Sequence, residues 1–296
     1  MTIGASSRFL LSRALYPGVL VAVALAAATL VPGRSEARVV ASVLAPVLVG
    51  LWALEGGMPY TLAWRPTWRV FGLDVFYTLI SSQLATRLTK LALVTTLAAW
   101  TASWTRPLGL WPDHWSLWAQ IPLAVAVADL ALYMAHRLMH DTDIGWRIHF
   151  VHHSPTKLHL FASARSHPLN VGIKLLTETG ILILLGVPAE VMTVWFCLMT
   201  TNGLLQHANI DVRTGPLDLF LATPEVHRTH HDAHLGPNNF GSTTTIWDRL
   251  FGTFQSPALV PVGQVGIEGS TVPEHYLAHL GVPFRRPVIH DRIGSA

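Results

Sequence analysis

Residues 149–153 read His149-Phe-Val-His-His153, and residues 227–231 repeat the pattern as His227-Arg-Thr-His-His231. Two further histidines, His136 and His140, lie just upstream of the 149–153 motif. The chain has 16 histidines in 296 residues, so composition alone would produce this pattern well under once. Imidazole is the commonest protein ligand for borderline transition metals. Eight histidines exceed the coordination of one ion, and the pattern therefore predicts a site for two metal ions.

Helical geometry accounts for the spacing of these histidines. Side chains three or four residues apart lie on one face of a helix, so His136 and His140 point the same way, as do the outer members of each later motif. Adjacent His152 and His153 are separated by about 100° around a helix axis, so one can face a first ion while its neighbour faces a second. The pattern is not His-Glu-x-x-His, and the ligand helices therefore lack the general base of zinc proteases with that motif.

The composition is that of a membrane protein. Hydrophobic residues make up 51% and charged residues 12% of the chain, and the mean hydropathy is +0.41. Such a chain is too apolar for an ordinary soluble domain. A bilayer span needs about 20 apolar residues, and six runs approach or exceed that length. They are residues 15–32, 39–54, 71–104, 117–139, 169–187 and 189–205.

Two of these regions leave alternatives open. Residues 71–104 carry Arg87 and Lys90 in their middle, which fits either one tilted helix with snorkelling cations or an interfacial helix that turns into a span. We favour the second. The last two runs are separated by Gly186-Val187-Pro188, which predicts the tip of a helical hairpin. Each arm is barely long enough to cross, so the hairpin either spans the bilayer or penetrates it in part.

The positions of lysine and arginine predict the orientation of the chain. By the positive-inside rule, the cationic regions and the N-terminus fall on one side, which we expect to be the cytoplasm. Arg34 and Arg38 are exceptions, partly offset by Glu36. The formal charge of +3 fits an anionic cytoplasmic leaflet and requires no nucleic acid. A single cysteine, Cys197, excludes an intramolecular disulfide and a thiolate zinc site. The cations that set the orientation are Arg65, Arg69, Arg137, Arg147, Lys157, Arg165, Arg213, Arg228, Arg249, Arg285, Arg286 and Arg292.

Together these features predict an all-α integral membrane protein, a transmembrane helix bundle of about four spans plus a helical hairpin, with a cytoplasmic histidine-rich metal-binding cap. We expect an N-terminal transmembrane region over 1–116 and a histidine-rich domain over 117–255, which the resemblance given next identifies as the catalytic domain. Residues 256–296 would form a C-terminal cytoplasmic tail.

The histidine series and the segment from Asn239-Phe-Gly-Ser-Thr to Thr253 resemble the fatty acid hydroxylase/sterol desaturase superfamily. The resemblance covers about 117–253, and its motif order and spacing are specific. It implies a multi-pass, non-haem diiron oxygenase acting on a lipid-type substrate (fatty acyl, sterol, carotenoid or related), with the metals on the cytoplasmic side. It also implies that nine histidines hold the metals, namely His136, His140, His149, His152, His153, His207, His227, His230 and His231.

Other polar residues are expected beside the ligands or in the substrate pocket. His207 is predicted to act alone, because Gly203 stands where the family sometimes has a second histidine. His167, in Arg165-Ser-His-Pro168, is expected near the ligands, with direct ligation as the alternative. Asn209, Asp211 and Asn239 complete this group. Asp141, Asp143 and Asp232 either orient histidines or are solvated. Histidines outside the motifs are expected to have surface or local hydrogen-bonding roles; they are His159, His234, His275, His279 and His290.

The ligand chemistry leads to the functional prediction. Neutral imidazoles leave open positions for O₂, and a diiron pair supplies the oxidant that no side chain provides. We expect O₂-dependent hydroxylation of a lipid C–H bond, with electrons from a separate ferredoxin, cytochrome or reductase. This donor would dock on the basic cap, whose cations are Arg147, Lys157, Arg165 and Arg228. Desaturation or another lipid oxidation at the same site, a membrane zinc hydrolase, and a non-catalytic metal- or sterol-binding protein are the alternatives. Zinc can replace iron in such sites.

Overall fold

The computed structural model describes residues 5–103, 109–258 and 263–285, the side chains of 93–103 excepted. Within these ranges the chain is helical and contains no strand, only two isolated bridges. The prediction of an all-α fold is therefore confirmed for the described residues. The helices are α1 Ala5–Leu30, α2 Glu36–Gly57, α3 Trp68–Phe76, α4 Ser82–Ser103, α5 Leu117–Asp141, α6 Asp143–His153, α7 Pro168–Leu185, α8 Ala189–His207, α9 Pro224–His230, α10 Ile246–Leu250 and α11 Tyr276–Gly281.

Among the described residues, 4 helices are long and apolar enough to cross a membrane, and they are α1, α2, α5 and α7. Two of the six predicted runs are not in this set: α8 is described in full and does not meet the criterion, and the side chains of residues 93–103 in α4 are not described. Residues 68–103 are helical throughout, and Tyr77–Ser81 form a π-helical turn between α3 and α4. Such wide turns occur frequently at functional sites, and this one lies where α4 begins to line a cavity described below.

The hairpin has the predicted turn. Gly186 ends α7 with φ +84, a left-handed conformation that glycine adopts without steric cost. The backbone N–H of Val187 then donates to Leu182 O at 3.0 Å, and Pro188 precedes the first turn of α8. This closure reverses the chain and packs both arms against α5 through Leu182, Trp195 and their neighbours.

Helix α8 lies in the middle of the bundle, in contact with α1, α2 and α5. Because neighbours surround it, polar residues inside it are buried and must find partners in the protein. Asn202 accepts from Tyr16 and donates to Ala222 O and Ser242 O. Gln206 donates to the same two carbonyls. Helix α8 therefore connects the membrane bundle to the loops of the histidine cap.

Candidate metal centre

A tight corner between α5 and α6 brings the His136 and His140 pair next to the 149–153 motif. Thr142 Oγ1 accepts from Gly145 N and begins α6 immediately after α5 ends. A Cβ at Gly145 would lie 2.6 Å from Leu138 O and from Met139 Cα. Only glycine allows this approach. The corner turns His149 and His153 back over His136 and His140 of α5.

The structure gathers the nine predicted histidines into two adjoining clusters. Cluster A contains five and cluster B contains four, and in each cluster one ring nitrogen per residue lies within 4.8 Å of all the others. The clusters do not follow the order of the motifs. His230 of the 227–231 motif lies in cluster A, and His152 of the 149–153 motif lies in cluster B. The rings of His153 and His231 stack across the boundary with centroids 4.4 Å apart. Cluster A is His136, His140, His149, His153 and His230; cluster B is His152, His207, His227 and His231.

Partners outside the clusters fix the orientation of four rings. Nδ1 of His136 donates to Phe240 O at 2.8 Å. Nδ1 of His230 donates to Asn238 O at 2.7 Å, and Nδ1 of His207 donates to Gly203 O at 3.0 Å. A carbonyl only accepts, so Nδ1 carries the proton and Nε2 presents a lone pair to the cluster. Nδ1 of His149 likewise donates to Asn170 Oδ1 at 3.0 Å. Such contacts set the tautomer and direction of metal ligands.

The donor sets fit metal ions. Nε2 of His149 lies 2.9 Å from Nε2 of His136 and 3.1 Å from Nε2 of His153. Nε2 of His227 lies 3.3 Å from that of His207. Two nitrogens bound to one ion at about 2.1 Å and near right angles lie about 3 Å apart. The buried Nε2 atoms of His140 and His230 have no hydrogen-bond partner among the described residues, and an ion would satisfy them.

The electrostatics of the cap keep the rings neutral. Burial, and after it the neighbouring imidazoles, hold the pKa of His153 and His231 well below the ordinary value for histidine. Burial also lowers the pKa of His149 to about 3 and that of His230 to about 4. Metal ligation requires the unprotonated ring, so the clusters are ready to bind cations near neutral pH.

Three buried residues build the loop that carries the Phe240 carbonyl. Asp129 of α5 accepts from the backbone N–H groups of residues 242–244. Asp248 accepts from Phe240 N and Gly241 N. Asn239 donates to Thr229 Oγ1 and thereby joins the loop to helix α9. Asn239 was predicted to lie near the site. Asp129 was not predicted, although a carboxylate inside an apolar span indicates a functional role.

The other predicted neighbours lie outside the two clusters. His167 accepts from Leu169 N at the start of α7 and contacts Leu280 O. The side chain of Asn209 bonds the backbone of Thr61, and Asp211 pairs with Arg8 and Arg213. The three other carboxylates also bond elsewhere: Asp141 to Arg137, Asp143 to Arg147 and Asp232 to backbone N–H groups.

Two arginines that were expected on the basic docking surface of the cap are buried, so the prediction of that surface is wrong for them. Arg165 is 0% exposed and pairs with Asp74 and Glu274. Arg228 is 1% exposed, lies over the ring of Tyr60 and donates to Ala208 O and Ile210 O. Both cations hold the cap together and cannot meet a partner protein. The positions of Arg286, Arg292 and His290 lie outside the described residues.

The unassigned histidines of the described chain have local roles. His159 bonds Asp74 and His279 bonds the hydroxyl of Tyr77, both in buried positions. His275 caps α11, accepting from Ala278 N, and His234 lies at the surface near Glu268. None of the four belongs to either cluster.

A cavity of about 330 Å³ adjoins both clusters. His136 and His149 of cluster A form part of its wall, as do His152, His207 and His227 of cluster B. The helices around it are α4, α5, α7 and α8. Its exposed lining residues are Gln83 of α4 and Lys174 of α7. The cavity therefore opens beside these two residues, where α4 and α7 meet, and its volume lies in the range of small-molecule sites.

Comparisons with known proteins agree with this geometry. The family model described as fatty acid hydroxylase matches residues 121–253. Ornithine lipid hydroxylase OlsE of Rhizobium tropici is 40% identical over 188 residues, 62% of this chain and 56% of that protein. Alkylglycerol monooxygenase of Danio rerio is 29% identical over 216 residues, 71% of this chain and 46% of that protein. The chain spans about half the length of the curated relatives it matches. No solved structure matches it.

Proposed function

Because this chain belongs to the fatty acid hydroxylase/sterol desaturase superfamily, we propose that it is a membrane-bound, O₂-dependent hydroxylase of a lipid C–H bond. The observation that carries the proposal is the contact between two buried histidine clusters and a cavity that opens where helices α4 and α7 meet. The names of the relatives support a lipid substrate, since one refers to ornithine lipid and another to alkylglycerol.

In this proposal each cluster holds one metal ion, natively iron. The five histidines of cluster A would bind one ion and the four of cluster B the other. When bound and reduced, the iron pair supplies the oxidising power that converts a C–H bond to C–OH with one atom of O₂. The second oxygen atom leaves as water, so each turnover consumes two electrons and two protons from a separate donor.

The protein residues orient ligands and substrate. Asn170 and the carbonyls of Phe240, Asn238 and Gly203 direct Nε2 atoms inward. Leu132, Met139 and Phe196 supply apolar wall to the cavity, which excludes water and holds the substrate against the rings of both clusters. The opening where α4 and α7 meet lets a lipid enter from the bilayer without leaving it.

The topology is part of the proposal. We place the clusters on the cytoplasmic side, where a ferredoxin, cytochrome or reductase is available. The support is the positive-inside distribution of arginine and lysine, since α5 and α8 both end at the histidine cap.

The proposal is tested by lipid mass spectrometry of host cells with and without the gene, grown under isotope-labelled O₂. A product that gains one labelled oxygen is the expected result. A product that has lost two hydrogens instead would show desaturation, and lipid cleavage without isotope incorporation would show a hydrolase. The variant His231→Ala is the negative control, because it removes a member of cluster B.

A further inference from the structure

A polar stripe on α7 follows the cavity wall away from the histidines. Asn170, Lys174 and Glu178 are spaced by four residues, so they share one face of the helix, and all three line the cavity. Asn170 bonds His149 and marks the metal end of the stripe. At a rise of 1.5 Å per residue, Lys174 and Glu178 lie roughly 6 and 12 Å further along the helix axis.

Glu178 is a buried carboxylate with an unsatisfied oxygen. The residue is 6% exposed, and its Oε2 has no hydrogen-bond partner among the described residues. A buried carboxylate oxygen without a partner is costly, and ionisable residues inside a membrane bundle mark substrate or ion sites. Because Glu178 lines the cavity, a donor carried by a bound molecule would satisfy this oxygen.

Lys174 supplies the opposite charge at the mouth of the same cavity. It is one of the two exposed lining residues, with Gln83. Its ammonium group is the complement of an acidic group on a molecule that enters where α4 and α7 meet. Lys174 and Glu178 thus present a cation near the mouth and a carboxyl group inside.

The polar part of the wall disfavours a purely alkyl occupant beside Glu178. Ser82, Thr86 and Thr200 also line the cavity, and the hydroxyl of Ser82 donates to Ala164 O. A hydrocarbon chain next to Glu178 would leave its Oε2 buried without a partner, which is unfavourable. The part of a bound molecule that reaches Glu178 is therefore polar.

We propose that Lys174 and Glu178 form a subsite for the zwitterionic head group of a lipid, with an acidic group at Lys174 and an ammonium group at Glu178. This inference rests on the proposed function, because it takes the cavity to be the place where the lipid is oxidised. An aminoacyl head group and a phosphoethanolamine head group share this chemistry.

The test is binding of lipid probes to the purified full-length protein in detergent, followed by native mass spectrometry. Four probes carry the same acyl chains: an ornithine lipid, phosphatidylethanolamine, phosphatidylglycerol and diacylglycerol. At least one zwitterionic probe should bind about tenfold or more tighter than the other two, the gain typical of hydrogen bonds to charged groups. Whichever of the two zwitterions binds tighter identifies the source of the head group.

Matched variants separate the two charges. Glu178→Gln should remove the preference for a zwitterion over phosphatidylglycerol, and Lys174→Gln should weaken all three acidic probes. Arg87→Gln and Glu190→Gln change exposed charges on α4 and α8 that do not line the cavity, and they should bind as wild type. Phosphatidylglycerol binding as tightly as both zwitterions would overturn the subsite, as would a preference that survives Glu178→Gln.

A second variant keeps the test decisive if either substitution impairs folding. A Cβ at Gly203 meets no atom within 4 Å, and Gly203 lines the cavity. Gly203→Leu should therefore fill the space and weaken every probe, whereas unchanged binding would show that the lipid lies elsewhere. Binding is measured without turnover. Head-group preference without hydroxylation would count against the proposed function alone, and hydroxylation without that preference against the subsite alone.

Discussion

Single side chains and backbone carbonyls determine which nitrogen atoms face the interior of each histidine cluster. The spacing of the motifs was sufficient to select eight of the nine histidines that the structure gathers, and the family resemblance added His207. Their division between clusters was not predictable, because it depends on how α6 and α9 pack. The partners of His136 and His230 are backbone carbonyls, which leave no trace in the sequence. Arg165 and Arg228 were misjudged because charge alone does not reveal burial.

Removal of one ligand from either cluster should abolish activity. His153→Ala and His231→Ala each take one nitrogen from a closely packed set, and we expect metal content to fall by at least one ion per chain. His234→Ala changes a surface histidine near Glu268 and should alter neither quantity. Elemental analysis and product formation are measured on the same preparations. Full activity in His231→Ala would refute the assignment of cluster B.

Asn170 should act by positioning His149. Asn170→Ala removes the acceptor for the Nδ1 proton of His149, and loss of such a partner lowers metal affinity by about 10–100-fold. Asn170→Asp restores an acceptor and should recover most of that affinity. Competition with a chelator measures it directly. Equal affinity in the alanine variant and the wild type would show that the contact does not orient the ligand.

At the scale of elements, the helices were predictable and their contacts were not. Five of the six apolar runs correspond to single helices, and residues 71–104 contain α3, the π turn and α4. The burial of α8 could not be read from its sequence, because Asn202 and Gln206 interrupt its apolar character. Only the structure shows that they bind the carbonyls of Ala222 and Ser242.

Asp129 should couple the stability of α5 to that of the 240–245 loop. Its two oxygens accept three backbone N–H groups and the hydroxyl of Thr244. Asp129→Asn turns one acceptor into a donor that faces donors, at a cost of about 1–3 kcal/mol. We expect a Tm lower by several degrees and faster metal release. Asp113→Asn changes an exposed carboxylate near the start of α5 and is the control; identical Tm values would contradict this role.

At the scale of the whole molecule, the orientation in the membrane is the prediction that most needs an experiment. The only cysteine, Cys197, is buried. A thiol reagent should therefore label only the single cysteines that are introduced at exposed positions. Thr156→Cys lies at the histidine end, and Asp113→Cys lies at the other end of α5; both positions are exposed. A membrane-impermeant thiol reagent should label Asp113→Cys in intact cells and Thr156→Cys only after permeabilisation. The reverse pattern would place the clusters outside the cell.

The metal content of the folded protein tests the central claim most directly. Wild-type protein expressed in iron-replete medium, or loaded anaerobically with Fe²⁺ to remove competition from tighter-binding zinc, should contain two iron ions per chain by elemental analysis. Two buried sets of neutral histidines, one of five and one of four, are the reason for this number. One ion or none per chain, in protein that retains its helical content and Tm, would contradict the account.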